Sequence, residues 1–341
     1  MPVVQVVAAG ELFRKGIMVK DGSALERLAE IDTVAFDKTG TLTIGRPRLV
    51  EATQEGNAVA IAAGMAAHSR HPLSVALVRG AAVAPRRFDA VTEVPGGGLE
   101  VSAEEGLYRL GSAAFACGGD LSADTRDAAY SEAILSRNGQ QLARFRFEDM
   151  LRPGAADAVA QLAASGVESV MLSGDRKAVV DRTAAGLGIR HAFAALTPKG
   201  KVEACANLGA GGHRVLMVGD GINDAPALAA AHVSMAPASA SDIGRQAADL
   251  VFFHDRLDAV PQALRVARRA GRLIRQNFVL AIGYNILAVP VAIAGYATPL
   301  IAAVAMSTSS IIVVLNALRL NTPGKAPGRP AVPMAMEARP S

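Results

Sequence analysis

Three short segments constrain the fold of this chain more than anything else in it: 32–37 (DTVAFD), 169–175 (SVMLSGD) and 214–220 (RVLMVGD). Each is a near-continuous apolar run that ends on an aspartate. Such runs predict strands buried on both faces, the habit of a parallel sheet. Helical stretches are predicted between them, over 154–165, 176–187 and 201–208, with shorter strands at 232–236 and 249–253. Alternation of strand and helix implies a doubly wound parallel α/β sheet, with its site at the carboxyl ends of the strands.

Residues 48–147 separate the first strand from the second. They carry their own helical patterns (56–67, 73–80), strand-like pieces (87–94, 98–102, 107–111, 141–147) and glycines at 96, 97, 98, 118, 119 and 139 that mark turns. This is enough chain for an inserted α+β domain. The parent sheet domain is then assigned to 25–47 and 148–256.

Residues 276–318 contain no charged side chain. Two apolar stretches within them, 277–295 and 299–318, have membrane-spanning length. Arg272 and Arg275 precede the first and Arg319 follows the second, so both ends of the hairpin carry positive charge, as on a cytoplasmic face. The hairpin region is taken as 257–320 and the Pro-, Ala- and Arg-rich residues 321–341 as a disordered tail. Residues 1–24 read as the end of a membrane helix and a linker, and equally well as a soluble amphipathic helix. A net charge of only +4, concentrated around the apolar block, together with 4% aromatics, excludes nucleic acid as a partner. Membrane lipid is expected instead. Two distant cysteines, Cys117 and Cys205, give neither a disulfide framework nor a zinc site.

The chemistry is concentrated in DKTGTLT, residues 37–43. Asp37 ends a buried strand, so its carboxylate projects into the crevice. Gly40 allows a tight turn whose N–H groups can cradle a phosphate, and Thr39 and Thr41 add hydroxyls. A carboxylate so placed can attack a phosphoryl group and form an acyl phosphate. Two anions must meet, so cations are required. Asp220 and Asp224 in GDGINDAPAL supply ligands for Mg²⁺, Lys201 in TPKGK a positive charge, and Ser173 in MLSGD a hydrogen bond to phosphate.

These motifs resemble those of P-type ATPases, built on a haloacid-dehalogenase-like phosphorylation domain. The resemblance implies that Asp37 is phosphorylated from ATP, and that Asp37, the main chain of Thr39 and Asp220 hold Mg²⁺. It further implies that Lys201 stabilises the transferring group and that Asp149 in EDMLRP lies at the hinge back to the phosphorylation domain. Soluble phosphatases of this fold usually carry Asp where Thr39 stands, and Thr39 cannot act as an acid or base, so the acyl phosphate is expected to be long-lived. In the insertion, His71 and Pro72 of SRHPLS and Gly96 and Gly98 of PGGG resemble the nucleotide-binding domain of the metal-transporting members. Gly174 and Asp175 join the same assignment. Ala66 and Val101 depart from the family pattern, which has Glu and a small residue there.

In the hairpin, Tyr284, Asn285, Met306 and Ser310 are the candidates for the transported ion. A thioether suits a soft ion such as Cu⁺. The hairpin resembles the copper-transporting subgroup associated with cbb3-type oxidases. Family members are much longer than this chain, with an actuator domain and a Cys-Pro-Cys helix. The expectation is therefore a partial pump of a bacterial inner membrane, with cytoplasmic catalytic domains and a possible partner chain for the other parts. A phosphatase on the same fold and a non-transporting nucleotide-binding remnant are the alternatives.

Overall fold

The computed structural model describes residues 2–54, 56–118, 130–221, 223–295 and 298–321. The expected disordered tail lies almost wholly outside the described residues. The chain divides into two compact units, residues 12–268 and residues 1–11 with 269–341.

In the first unit, seven strands form one sheet: β1 (Ile17–Val19), β2 (Thr33–Asp37), β9 (Glu168–Leu172), β10 (His191–Phe193), β11 (Val215–Val218), β12 (Val233–Pro237) and β13 (Leu250–Phe252). Their order is β1-β13-β12-β11-β2-β9-β10, parallel throughout except for β1 against β13. The chain winds outward from β2 to β9 and β10, then returns to the other side of β2 and winds outward again through β11, β12 and β13. Right-handed crossovers put the helices of the two halves on opposite faces, and the reversal leaves a crevice between β2 and β11. The crossover helices are α6 (Ala155–Ala164), α7 (Lys177–Leu187), α8 (Pro198–Ala210), α9 (Ala225–Ala230) and α10 (Asp242–Ala247). On one face Ala35, Val170, Leu172, Val215 and Met217 of the sheet pack with Cys205 of α8 and Leu228 of α9.

The inserted sheet is antiparallel, in the order β3-β8-β7-β6-β5-β4. Its strands are β3 (Thr43–Ala52), β4 (Thr92–Val94), β5 (Gly98–Ala103), β6 (Gly106–Gly111), β7 (Ser131–Arg137) and β8 (Gln140–Leu151). Helices α3 (Asn57–Ala66) and α4 (Pro72–Gly80) contribute Ile61, Met65 and Leu77 to one core with Tyr108, Phe145 and Phe147 of the sheet. A short α5 (Ala113–Cys117) follows β6.

Three expectations change. The linker assigned within 1–24 contains strand β1, whose Ile17 is fully buried and pairs with Phe252. Three apolar residues between basic ones carry no readable period. That segment also holds α1 (Pro2–Arg14), and α2 (Ala24–Ala29) begins at its end. The insertion boundaries at 47/48 and 147/148 fall inside β3 and β8, which pair with each other as continuous strands. Finally, the apolar stretch expected over 277–295 is the later part of α11 (Ala259–Ile293), 35 residues long. Its first turns are amphipathic, with Val260, Ala263, Leu264 and Ala267 buried and Arg265 exposed, so the charged residues that ended the apolar run did not end the helix.

In the second unit, α11 continues to Ile293 and α12 spans Pro299–Leu318. Both helices are long and apolar enough to cross a membrane and are almost entirely unburied along their apolar windows. Among the few buried polar contacts is Asn316, whose Nδ2 donates to Asn277 Oδ1 at 2.8 Å.

Candidate active site

All five residues of β2 are buried, and Asp37 is the last of them. The chain then turns through 38–42, where Gly40 takes a left-handed φ of 72°. A Cβ on Gly40 would lie 2.4 Å from Asp220 Oδ2, so both the backbone angle and the space require glycine. Asp220 follows β11, the neighbour of β2 across the reversal, which explains why two residues far apart in sequence meet.

TPKGK forms the start of α8. Thr197 Oγ1 accepts from Gly200 N at 3.1 Å and Pro198 occupies the first turn, an ordinary N-cap arrangement. It aims Lys201 inward. Lys201 Nζ lies 2.5 Å from Asp37 Oδ1 and 2.6 Å from Asp224 Oδ1, with all three side chains buried. Asp224 sits at the N-cap position of α9. One oxygen each of Asp37, Asp220 and Asp224 falls within 4.8 Å of the others.

Two of these carboxylates therefore share one ammonium, with the third alongside. Burial, then the charge of Asp224, raises the Asp37 carboxyl from 3.8 to about 7, although Lys201 pulls the other way. Burial opposes the charge on Lys201, but Asp37 and Asp224 outweigh it and hold the ammonium above its ordinary value. The Thr41 hydroxyl is buried with no hydrogen-bond partner among the described residues. Hard oxygen donors in excess negative charge fit a divalent cation such as Mg²⁺. Ser173 is buried at the end of β9, and its Oγ accepts from Asp175 N at 3.1 Å. Thr39 is exposed.

Sequence reasoning missed two residues. Arg152, 3% exposed, donates from Nε to Thr41 O at 2.9 Å, from Nη2 to Gly40 O and from Nη1 to Asp255 Oδ1, fixing the loop that follows Asp37. Lys38 forms an ion pair with Asp175. Neither belongs to a periodic pattern. The signal available was position alone, next to Asp37 and after EDML. Asp149 accepts from Thr43 Oγ1 at 2.5 Å where β3 and β8 leave the parent sheet.

The inserted domain holds a cleft of about 320 Å³ lined by His71, Glu93, Gly96, Gly98, Ser112 and Phe147, among others. His71 caps α4, its Nδ1 accepting from Leu73 N at 3.3 Å, which leaves Nε2 as the protonated nitrogen of the neutral ring. Ser69 Oγ accepts from His71 N and donates to Glu93 Oε1. Pro72 starts the helix and does not line the cleft. Gly174 and Asp175 do not line it either. They belong to the loop after β9, with Asp175 held by Lys38. Ala66 and Val101 are buried in the domain core rather than in the cleft.

The hairpin candidates are not enclosed. Met306 is 68% exposed, Ser310 and Asn285 are exposed, and Tyr284 is half-buried. Asn285 Nδ2 donates to Ala281 O of its own helix.

A family model described as haloacid dehalogenase-like hydrolase matches residues 31–232. The chain is 70% identical over 328 residues to nitrogen fixation protein FixI of Rhizobium leguminosarum bv. viciae, covering 96% of this chain and 43% of that protein. It is 38% identical over 341 residues to a copper-exporting P-type ATPase of Mycobacterium tuberculosis, covering 96% of this chain and 44% of that protein. A zinc-transporting PIB-type ATPase in an E2.Pi state superposes with a TM-score of 0.81 at 32% identity, over 94% of this chain and 54% of that one. The chain thus spans less than half the length of these curated relatives.

Proposed function

From the membership of this chain in the haloacid dehalogenase-like hydrolases, with heavy-metal P-type ATPases among its relatives, we propose that it is the catalytic portion of an ATP-driven metal pump that is phosphorylated on Asp37. The observation that carries this reading is the buried Lys201 bridge between Asp37 and Asp224, with Asp220 alongside.

The Asp37 carboxylate attacks the γ-phosphorus of ATP. The bond from phosphorus to the bridging oxygen breaks, ADP departs with the electron pair, and an acyl phosphate remains. Lys201 offsets the negative charge on the transferring oxygens, and Ser173 donates a hydrogen bond to them. Mg²⁺, held by Asp37, Asp220, Asp224 and the main chain of Thr39, would supply the further positive charge that lets two anions approach. Thr39 offers no acid or base for hydrolysis, which favours a pump intermediate over a phosphatase. His71, Gly96 and Gly98 would receive the nucleotide in the inserted cleft.

Cu⁺ is the proposed cargo. The copper-exporting relative and the thioether of Met306 support it, as do two apolar stretches, 277–295 and 299–318, free of charged groups. The hairpin would cross a bacterial inner membrane with the catalytic domains in the cytoplasm. The ion path, any partner chain and dephosphorylation belong to the whole protein. The test is incubation with γ-labelled ATP and Mg²⁺, comparing this chain with Asp37→Asn. Acid-stable, hydroxylamine-labile label on the parent alone supports the reading. Equal labelling of both would sink it.

A further inference from the structure

A second concave site lies within the hairpin unit. Arg269, Arg272, Leu273 and Gln276 of α11 and Arg319 after α12 line a cavity of about 160 Å³. On α11 the positions recur at i, i+3, i+4 and i+7, so they share one helical face. Arg269 Nη2 donates to Arg319 O at 2.6 Å, tying the beginning of one apolar stretch to the end of the other. Arg319 Nη1 in turn donates to Asn316 Oδ1, and Asn316 bonds Asn277.

The depth of the cavity follows from the sequence. Gln276 opens the uncharged block and Arg319 closes it, so both walls stand where apolar helix gives way to charge. Between Ala259 and Leu320 there are six arginines and no acidic residue. Arg272 has no carboxylate partner among the described residues. Beyond the cavity the helices expose Phe278, Val279, Ile312 and Leu315, which suit acyl chains.

We propose that this cavity binds the phosphate of an anionic phospholipid, with Arg272 and its two arginine neighbours on the headgroup and the chains laid along α11 and α12. Guanidinium groups match phosphate oxygens in pairs, and basic pockets at the cytoplasmic end of membrane helices take such headgroups. The proposal rests on the membrane reading of the hairpin.

Arg275 supplies the control. It lies one turn on, carries the same charge at similar depth, and does not line the cavity. The full chain, purified in detergent, would be titrated with phosphatidylglycerol, phosphatidylcholine or inorganic phosphate and read by native mass spectrometry. Phosphatidylglycerol should be retained over phosphatidylcholine, and Arg272→Gln should lower that retention by about fivefold, the effect of one surface arginine. Arg275→Gln should leave it unchanged. Equal losses in the two variants would reduce the effect to diffuse charge and overturn the proposal. Retention of inorganic phosphate without a lipid preference would overturn it too. Carbonate extraction of the chain from membranes separates the two failures: a chain released by carbonate sinks the membrane reading as well, whereas a retained chain with no Arg272 effect sinks the pocket alone.

Discussion

Lys201 Nζ lies 2.5 Å from Asp37 Oδ1, an ion pair whose side chains are 7% and 5% exposed. The same ammonium reaches Asp224, so a single side chain serves two buried carboxylates. Replacing Lys201 with Met should leave both uncompensated and cost about 3–5 kcal/mol, read as a lowered urea midpoint. Phosphoenzyme formation should be lost as well. A variant with unchanged stability would mean that Asp37 and Asp224 do not depend on this charge.

The raised Asp37 carboxyl, at about 7, sets a pH dependence with opposite signs for activity and stability. In the proposed reaction the attacking group is the carboxylate, so labelling at limiting Mg²⁺ should climb as pH rises through about 7, and saturating Mg²⁺ should move that climb to lower pH. The folded chain keeps a proton on Asp37 that the unfolded chain gives up near 3.8. Between these values the unfolded state binds fewer protons, so stability without Mg²⁺ should decline as pH rises. Asp37→Asn should flatten the decline. An identical slope in that variant would show that another group is responsible.

Arg152 holds the carbonyls of Gly40 and Thr41 with a planar fork that lysine cannot copy. Arg152→Lys should cost about 1–2 kcal/mol and slow phosphorylation about tenfold by loosening the loop. Chemical denaturation and single-turnover labelling would separate the two effects.

Gly221 follows Asp220 with φ of 76°, and a Cβ there would fall 1.9 Å from Gly244 Cα. Gly221→Ala should therefore push α10 away from the Asp220 turn, costing about 1–3 kcal/mol and weakening Mg²⁺-dependent labelling. Mg²⁺ titration of the labelling reaction checks this, and an unchanged Mg²⁺ midpoint would refute it.

His71 both caps α4 and lines the inserted cleft. His71→Ala removes the two roles together, whereas His71→Asn keeps a good cap and removes only the ring. If the ring contacts nucleotide, both variants should need about tenfold more ATP, a loss of roughly 1.4 kcal/mol, for half-maximal labelling. A normal ATP requirement in the Asn variant would leave His71 as a cap.

The sequence made the interior strands legible because β2 and β11 are buried along their whole length, and β9 from Val170 on, and so read as near-continuous apolar runs. It also exposed Asp37, Asp220 and Lys201 through the motifs around them. It hid β1, since Ile17–Val19 has too few residues to show a period. It hid the early half of α11, where arginines on the exposed side broke the apolar run without breaking the helix. Arg152 and Lys38 were hidden for a different reason. Each acts through contacts with distant parts of the chain, Arg152 with Gly40, Thr41 and Asp255 and Lys38 with Asp175, and its position beside a motif does not show which partner it meets.

The pairing of β3 with β8 has a consequence for how such a protein can be assembled from parts. Thr43 faces Leu151 and Pro47 faces Asp149, so the chain leaves the parent sheet and re-enters it at adjacent points. For the parent domain, everything between is equivalent to a closed hairpin, and the entropy of joining its ends grows only slowly with the length the hairpin carries. A graft of that kind can be enlarged, shortened or exchanged for a different ligand-binding module while β2 and β9 keep their register.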